Sequence, residues 1–333
     1  MLNYFFDKIE NYLLYKSKSI KDISNKVIKC ENGHREVGLK PLDWISENPK
    51  SNKKKFKQCY FPSTKIFFCS NVTLGDRFIK KSNNFLPFIS HEFSMNLSHK
   101  EAKSKLRINY NSKMLKNLKN TNEKRNKYPT FLISILKQFR TVKKNISIPV
   151  FSLVSPDSKG YYHWIIEELP KLKYFEKFIR PYEKNVKILI DANIPKWKIE
   201  TLRLLGYTYP SDFLHHDDQG VNYSDFIYCS PIYYNSRSAF NRKALIWLKN
   251  KMLKKIKDKE KPVKQVKRIY ITRSDAKSKK IINEIELIKE LKKYGFKIYK
   301  LSSMNFIKKI KLFYQAEIIV GSHGAGLLHS LFS

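Results

Sequence analysis

Residues Ile318-Ile319-Val320-Gly321-Ser322-His323-Gly324-Ala325-Gly326 pass from an apolar, β-branched run into a glycine-rich turn, and Leu327-Leu328 resumes the apolar pattern. A buried strand that empties through glycines into a helix start belongs to a parallel α/β sheet. Glycines let the backbone approach a ligand, and the N–H groups of a helix start favour an anion such as a pyrophosphate. His323 adds a hydrogen-bond donor at that mouth. The same spacing also suits a tight turn with a core-facing histidine.

The residues upstream complete the unit. Arg268-Ile269-Tyr270-Ile271-Thr272 reads as a strand, and Ile285, Ile288, Leu291 and Tyr294 mark one helical face that Gly295 ends. Phe296 to Leu301 gives the next strand, and Ile307, Ile310, Leu312 and Phe313 the next helix. This βαβαβ order predicts half of a doubly wound sheet that stops in mid-helix at Ser333, so the expectation is an incomplete, C-terminally truncated domain. Ligands of open α/β sheets gather at the carboxyl ends of the strands, where Arg273 and the His323 loop both fall. Lys277, Lys279 and Lys280 follow Arg273, with Asn283-Glu284 at the helix start; lysines here also read as a solvated face.

Further back the alternation continues. Ile146 to Val154 predicts a buried strand, Tyr162 to Phe178 a helix and Val186 to Ile190 a strand. A helix runs from Pro195, at the first helical position, to Gly206 just past its end. Phe226-Ile227-Tyr228 is a short strand, and Leu245, Leu248, Met252 and Ile256 define a helix over about 241–256. The charged segment KDKEKPVKQVK, residues 257–267, reads as an interdomain linker. The fold class is α/β, with one domain over 131–256 and a second over 268–333. Residues 1–130 give no motif beyond short apolar runs such as Lys65 to Cys69, and the polar stretch from Arg107 to Tyr128 reads as an exposed connection.

Within Tyr161-Tyr162-His163-Trp164-Ile165-Ile166-Glu167-Glu168-Leu169-Pro170, His163 and Glu167 stand at i, i+4 and share a helical face. Together they could bind a hydroxyl and accept its proton; a capped helix start with a packed aromatic pair fits as well. His215-His216-Asp217-Asp218 carries metal-type side chains, but consecutive positions rarely converge on one ion and no third ligand stands nearby. The chain has no Asp-x-Asp, which argues against the carboxylate pair that holds a divalent ion, and no GxxxxGK[ST] or GxSxG.

The chain has 333 residues, with 66 Lys+Arg against 29 Asp+Glu and a formal net charge of +37. Its 42% hydrophobic and 14% aromatic content supports real cores and excludes a disordered basic tail. No stretch reaches the roughly 18 uncharged apolar residues of a membrane helix. The start MLNYFFDKIENYLL carries Asp7, Lys8 and Glu10 where a signal peptide stays apolar. Four sparse cysteines, Cys30, Cys59, Cys69 and Cys229, form no disulfide framework, and a cytoplasmic location is expected. The charge suggests nucleic acid, an anionic membrane face or phosphorylated ligands as partners. Lys outnumbers Arg about five to one, which weighs against base recognition, where the arginine fork is enriched.

Taken in order, YYHWIIEELPKL from Tyr161 to Leu172, YITRSDAKSKKIINEIEL from Tyr270 to Leu287 and AEIIVGSHGAGLLHSLF from Ala316 to Phe332 resemble glycosyltransferase family 61, in particular its bacterial capsular-polysaccharide-like branch. The resemblance implies an inverting, metal-independent enzyme of two Rossmann-like domains (GT-B type) facing a cleft, moving sugar from a nucleotide sugar, a UDP-sugar above others, to a glycan or polysaccharide hydroxyl. It implies that Arg273, Lys280, His323, Gly324, Ala325 and Gly326 bind the donor. It also implies that His163 and Glu167 lie on the acceptor side, with Glu167 the general base. Where the family carries Arg, this chain has Lys279 and Lys280, which keep the charge but lose the bidentate fork. The expected partners are a nucleotide sugar, a glycan acceptor and peripherally an anionic inner-membrane face, with no specific nucleic acid. The rival expectations are a basic nucleic-acid-binding protein and an inactive, truncated transferase relative.

Overall fold

The computed structural model describes residues 24–36, 59–61, 63–74, 78–81, 84–87, 144–155, 157–217, 221–234, 239–257, 267–276 and 280–333. The polar connection 107–128, Lys277, Lys279 and residues 258–266 of the expected linker lie outside them. The chain divides into two compact units. The first holds the residues up to Lys159 with Lys171–Ala192 and Phe213–Asn241; the second holds Gly160–Pro170, Asn193–Asp212 and Arg242–Ser333. The segment carrying His163 and Glu167 thus belongs with the glycine-rich loop, whereas the sequence division at 257–267 put the two apart.

The first unit is built on a nine-stranded sheet: β1 (Lys26–Glu31), β2 (Thr64–Leu74), β3 (Phe78–Lys81), β4 (Asn84–Pro87), β5 (Lys144–Ile146), β6 (Val150–Ser152), β7 (Lys187–Asp191), β8 (Phe213–His216) and β9 (Val221–Cys229). The path runs β8-β7-β6-β9-β2-β3-β4, with β1 beside β2 and β5 beside β9. From β8 to β9 neighbouring strands are parallel, and from β9 through β4 they are antiparallel. Taken in chain order, β6 to β9 stand 3-2-1-4, the order of a doubly wound sheet. The core gathers Phe67, Val72, Leu74, Val150, Leu189, Tyr223, Phe226 and Tyr228.

One half-buried polar cluster lies in the same unit. Glu31 pairs with Lys173 and accepts from Tyr174 Oη at 2.8 Å, while Asn241 Nδ2 donates to Thr64 Oγ1 at 2.8 Å. Burial opposes ionisation of Glu31, yet the hydrogen bonds from Lys173 and Tyr174 prevail and hold its carboxyl below the usual range.

Three expectations need correcting here. The strand expected over Ile146 to Val154 is two, β5 and β6, both parallel to β9. Pro149 lies between them and has no N–H to give the ladder. The short strand at Phe226 to Tyr228 is nine residues long, its first half alternating buried Val221 and Tyr223 with outward Asn222 and Ser224. The apolar run at Lys65 to Cys69 is likewise part of the eleven-residue β2.

The second unit contains α1 (Tyr161–His163), α3 (Lys196–Leu204), α4 (Arg242–Lys257), β10 (Arg268–Ile271), α5 (Glu284–Lys293), β11 (Lys297–Tyr299), α6 (Phe306–Tyr314), β12 (Ile318–Gly321) and a 3₁₀-helix, Ala325–Phe332; α2 (Leu172–Phe178) lies in the first. The three strands are parallel in the order β11-β10-β12, so β10-α5-β11-α6-β12 is the expected βαβαβ arrangement. Ile269, Ile271, Leu301, Leu312 and Phe313 form its core.

Helix ends follow the sequence signals. Asn305 accepts from the Lys308 N–H at 2.9 Å as the N-cap of α6, a bond whose loss costs about 1 kcal/mol. Gly206 and Gly295 have φ of 90° and 78°. Each donates one of the two reversed hydrogen bonds that close α3 and α5, with Tyr207 N→Leu202 O and Phe296 N→Leu291 O as the other. Pro195 is the N-cap of α3 rather than its first helical residue. Among the described residues no helix is long and apolar enough to cross a membrane. Cys30, Cys69 and Cys229 are free thiols, and burial pushes Cys30 up to about 12.

Candidate active site

Strand order decides where the second unit offers a site. Its strands stand 2-1-3 in chain order, so successive connections leave β10 in opposite directions along the sheet, and ligands of such parallel sheets bind at the carboxyl ends flanking that switch between β10 and β12. β10 continues into Thr272-Arg273 and β12 into Ser322-His323-Gly324. Both expected features therefore come from adjacent strands, with Ile271 opposite Gly321 in register.

Arg273 and the loop are in direct contact. Arg273 Nη1 donates to the His323 carbonyl at 3.0 Å. A Cβ on Gly324 would lie 1.5 Å from that same nitrogen, so the guanidinium rests on the bare Cα. Gly324 has an extended backbone, φ 173°, and here glycine supplies space rather than an unusual dihedral. His323 and Ala325 are exposed, and Gly326 lies in the first turn of the 3₁₀-helix. The expected α-helix after the loop is this 3₁₀-helix, Ala325–Phe332, whose first N–H groups still point out of its start.

Glu284 holds the other end of the arginine's segment. Its Oε1 accepts from Tyr270 Oη at 2.8 Å, from Thr272 Oγ1 at 2.9 Å and from the Arg273 N–H at 3.3 Å. Burial opposes the charge, but these hydrogen bonds outweigh it and hold the Glu284 carboxyl below the usual range. This clamp goes beyond the sequence reading, which saw Glu284 only as a helix start. The signal was present: Tyr270 and Thr272, two apart on a strand, face the same way. Lys280 is exposed in the β10–α5 loop and makes no hydrogen bond or ion pair with the described residues.

His163 and Glu167 are paired, with Nδ1 and Oε1 2.8 Å apart. Trp164–Glu168 form a π turn, Leu169 N–H reaching the Trp164 carbonyl, and Leu169–Lys171 follow as 3₁₀-helix. The helix expected from Tyr162 to Phe178 is continuous in path but not in hydrogen-bond register. Pro170 has no N–H for the α pattern, and a widened turn before it absorbs the mismatch. Glu167 is 4% exposed, while the His163 side chain is 39% exposed. Beneath them Trp164 Nε1 donates to Thr201 Oγ1 at 3.0 Å, fixing the turn to α3.

In the first unit His215 and His216 alternate along β8 and part company. His215 Nδ1 lies 3.2 Å from the Asp191 carbonyl oxygen, and His216 Nδ1 lies 2.9 Å from Tyr223 Oη. No group of three metal-type side chains converges among the described residues.

His329 is fully buried on the 3₁₀-helix, with Nε2 2.7 Å from Tyr161 Oη. Burial first, and the nearby Lys309 second, lower its pKa to about 3. A histidine that refuses its proton only when folded makes the unfolded chain the better proton binder. Its contribution to stability is whole above pH ~6.5 and is lost as pH falls towards 3, by up to about 1.4 kcal/mol per pH unit. Thermal unfolding followed from pH 7 to 4 should show this slope, and His329→Gln should flatten it.

The Arg273 guanidinium and the glycine-rich loop thus meet at the carboxyl ends of two adjacent parallel strands, where open α/β sheets bind ligands. The Glycosyltransferase 61 family matches residues 161–333, more than half of the chain, and the chain belongs to that family. No curated protein matches it.

Proposed function

We propose that the protein is an inverting glycosyltransferase that moves a sugar from a UDP-sugar to a hydroxyl of a glycan or polysaccharide. The seat of Arg273 on Gly324, at the carboxyl ends of two adjacent parallel strands, is the observation that carries this reading. A diphosphate leaving group needs positive charge and N–H donors where its negative charge develops. Arg273, Lys280, His323 and the N–H groups from Gly324 to Gly326 would supply both without a resident metal. A guanidinium has five N–H donors, so anchoring the loop and meeting a phosphate are compatible.

Opposite chemistry falls to His163 and Glu167. An ionised Glu167 can only accept, so a hydrogen bond at 2.8 Å places the imidazole proton on Nδ1 and leaves Nε2 as the acceptor. The acceptor hydroxyl gives its proton to the His163–Glu167 pair as its oxygen bonds to the anomeric carbon. The bond from that carbon to the diphosphate oxygen breaks on the far face, its electron pair leaving with the diphosphate, and the configuration inverts. The 3-2-1-4 and 2-1-3 sheets support a GT-B pairing of two Rossmann-like domains. The net charge of +37 supports work at the cytoplasmic face of an anionic membrane.

Calorimetric titration of UDP at moderate and high salt, with His323→Ala alongside, tests the reading. Saturable, salt-tolerant binding weakened in the variant is expected. A chain that ignores UDP and binds nucleic acid with steep salt dependence would instead be the basic nucleic-acid-binding protein.

A further inference from the structure

Tyr161 opens α1, two residues before His163, and its ring is held on three sides. Trp197 lies at 4.6 Å between ring centroids, Phe306 meets it edge-on at 6.5 Å, and Lys309 Nζ stands 5.3 Å from its centroid. Its hydroxyl meets His329, whose own ring sits among Phe306, Phe313 and Phe332 at 5.4, 5.5 and 6.1 Å. His329 is 0% exposed, and its Nδ1 has no hydrogen-bond partner among the described residues. A buried polar atom left unsatisfied costs about 1–3 kcal/mol, which an apolar side chain at this position would avoid. What the imidazole adds is one directional bond between two elements. One leads to the His163–Glu167 pair; the other begins at Ala325, directly after His323 and Gly324.

We propose that Tyr161 and His329 are positioning residues that lock the 3₁₀-helix behind the phosphate loop to the helix carrying His163, so that loop and proton acceptor keep a fixed relation within one compact unit. This rests on the donor-site reading above. Arg273 bonds the loop at its front, and the 3₁₀-helix is the stem from which it projects. If the stem loses its tie to α1, the N–H groups that meet a diphosphate lose their common aim, and misaligned donors bind weakly.

The probe is UDP, titrated by calorimetry well below the melting temperature of each full-chain variant. Tyr161→Phe keeps the ring and deletes the hydroxyl. His329→Leu deletes the polar partner, and His329→Gln returns an amide to the reach of Nε2. Tyr161→Phe and His329→Leu should each weaken UDP about tenfold, with His329→Gln recovering most of the loss. Unchanged UDP affinity in all three, with only a lower melting temperature, would reduce the pair to packing and overturn the proposal. If His329→Leu does not fold, Tyr161→Phe decides alone. Arg273→Ala separates the two levels of argument: loss of UDP there beside full affinity in the pair variants sinks the positioning role only. A folded wild-type chain that ignores UDP sinks the donor site and the positioning role together.

Discussion

Replacing Gly324 by alanine is expected to weaken UDP binding roughly 30-fold, about 2 kcal/mol, the worth of one charge-assisted hydrogen bond. The new methyl would sit 1.5 Å from Arg273 Nη1 and 2.7 Å from Cζ, so the guanidinium has to leave its seat. The far end of an arginine moves at little cost, and the extended backbone at Gly324 suits alanine, so melting should shift by only a few degrees. Arg273→Ala should lose as much affinity by removing the same group. The decisive measurement is the double variant. Since both changes act through one guanidinium, Gly324→Ala with Arg273→Ala should bind UDP no worse than either alone. Additive losses would mean that the glycine and the arginine serve separate purposes, and normal affinity in Gly324→Ala would remove Arg273 from the donor site.

The second unit was the more legible of the two, and for local reasons. Its strands are short and mostly apolar and alternate with amphipathic helices, and Gly295 ends a helix by adopting a left-handed φ of 78° that glycine in that position foretells. The convergence of Arg273 with the His323 loop also followed, because parallel topology alone brings adjacent carboxyl ends together. The first unit resisted because its two longest described strands, β2 and β9, break their apolar runs with polar residues such as Ser70-Asn71 and Ser224-Asp225 and find their partners far along the chain; Ile66 meets Cys229, for example. The bond of Tyr161 to His329 spans 168 residues and leaves no periodic trace. Nor does spacing tell a fully buried histidine from an exposed one: His323 and His329 sit six residues apart with opposite surroundings. Lys280 shows the converse limit, since charge and position marked it, yet it stands exposed with no hydrogen bond or ion pair among the described residues.

The His163–Glu167 pair carries the other large expectation. His163→Ala should cut sugar transfer by about 10²–10⁴, the usual reach of general-base catalysis, while UDP affinity stays within about twofold. UDP release from the UDP-sugar and acceptor that wild type turns over reads the first quantity, and calorimetry the second. The geometry then predicts an asymmetry between the partners. Glu167 is 4% exposed beneath the imidazole, so on the proposed mechanism the acceptor hydroxyl is expected to meet His163 rather than the carboxylate. Glu167→Gln keeps shape but turns an obligate acceptor into an amide that can donate to Nδ1, favouring the tautomer whose Nε2 already carries a proton and cannot take another. Its loss should therefore approach that of His163→Ala despite an intact imidazole, and free imidazole should restore part of the activity of His163→Ala only. If Glu167→Gln were instead fully active, the π turn would be a packing device around Pro170, and the proton acceptor would have to be sought outside this helix.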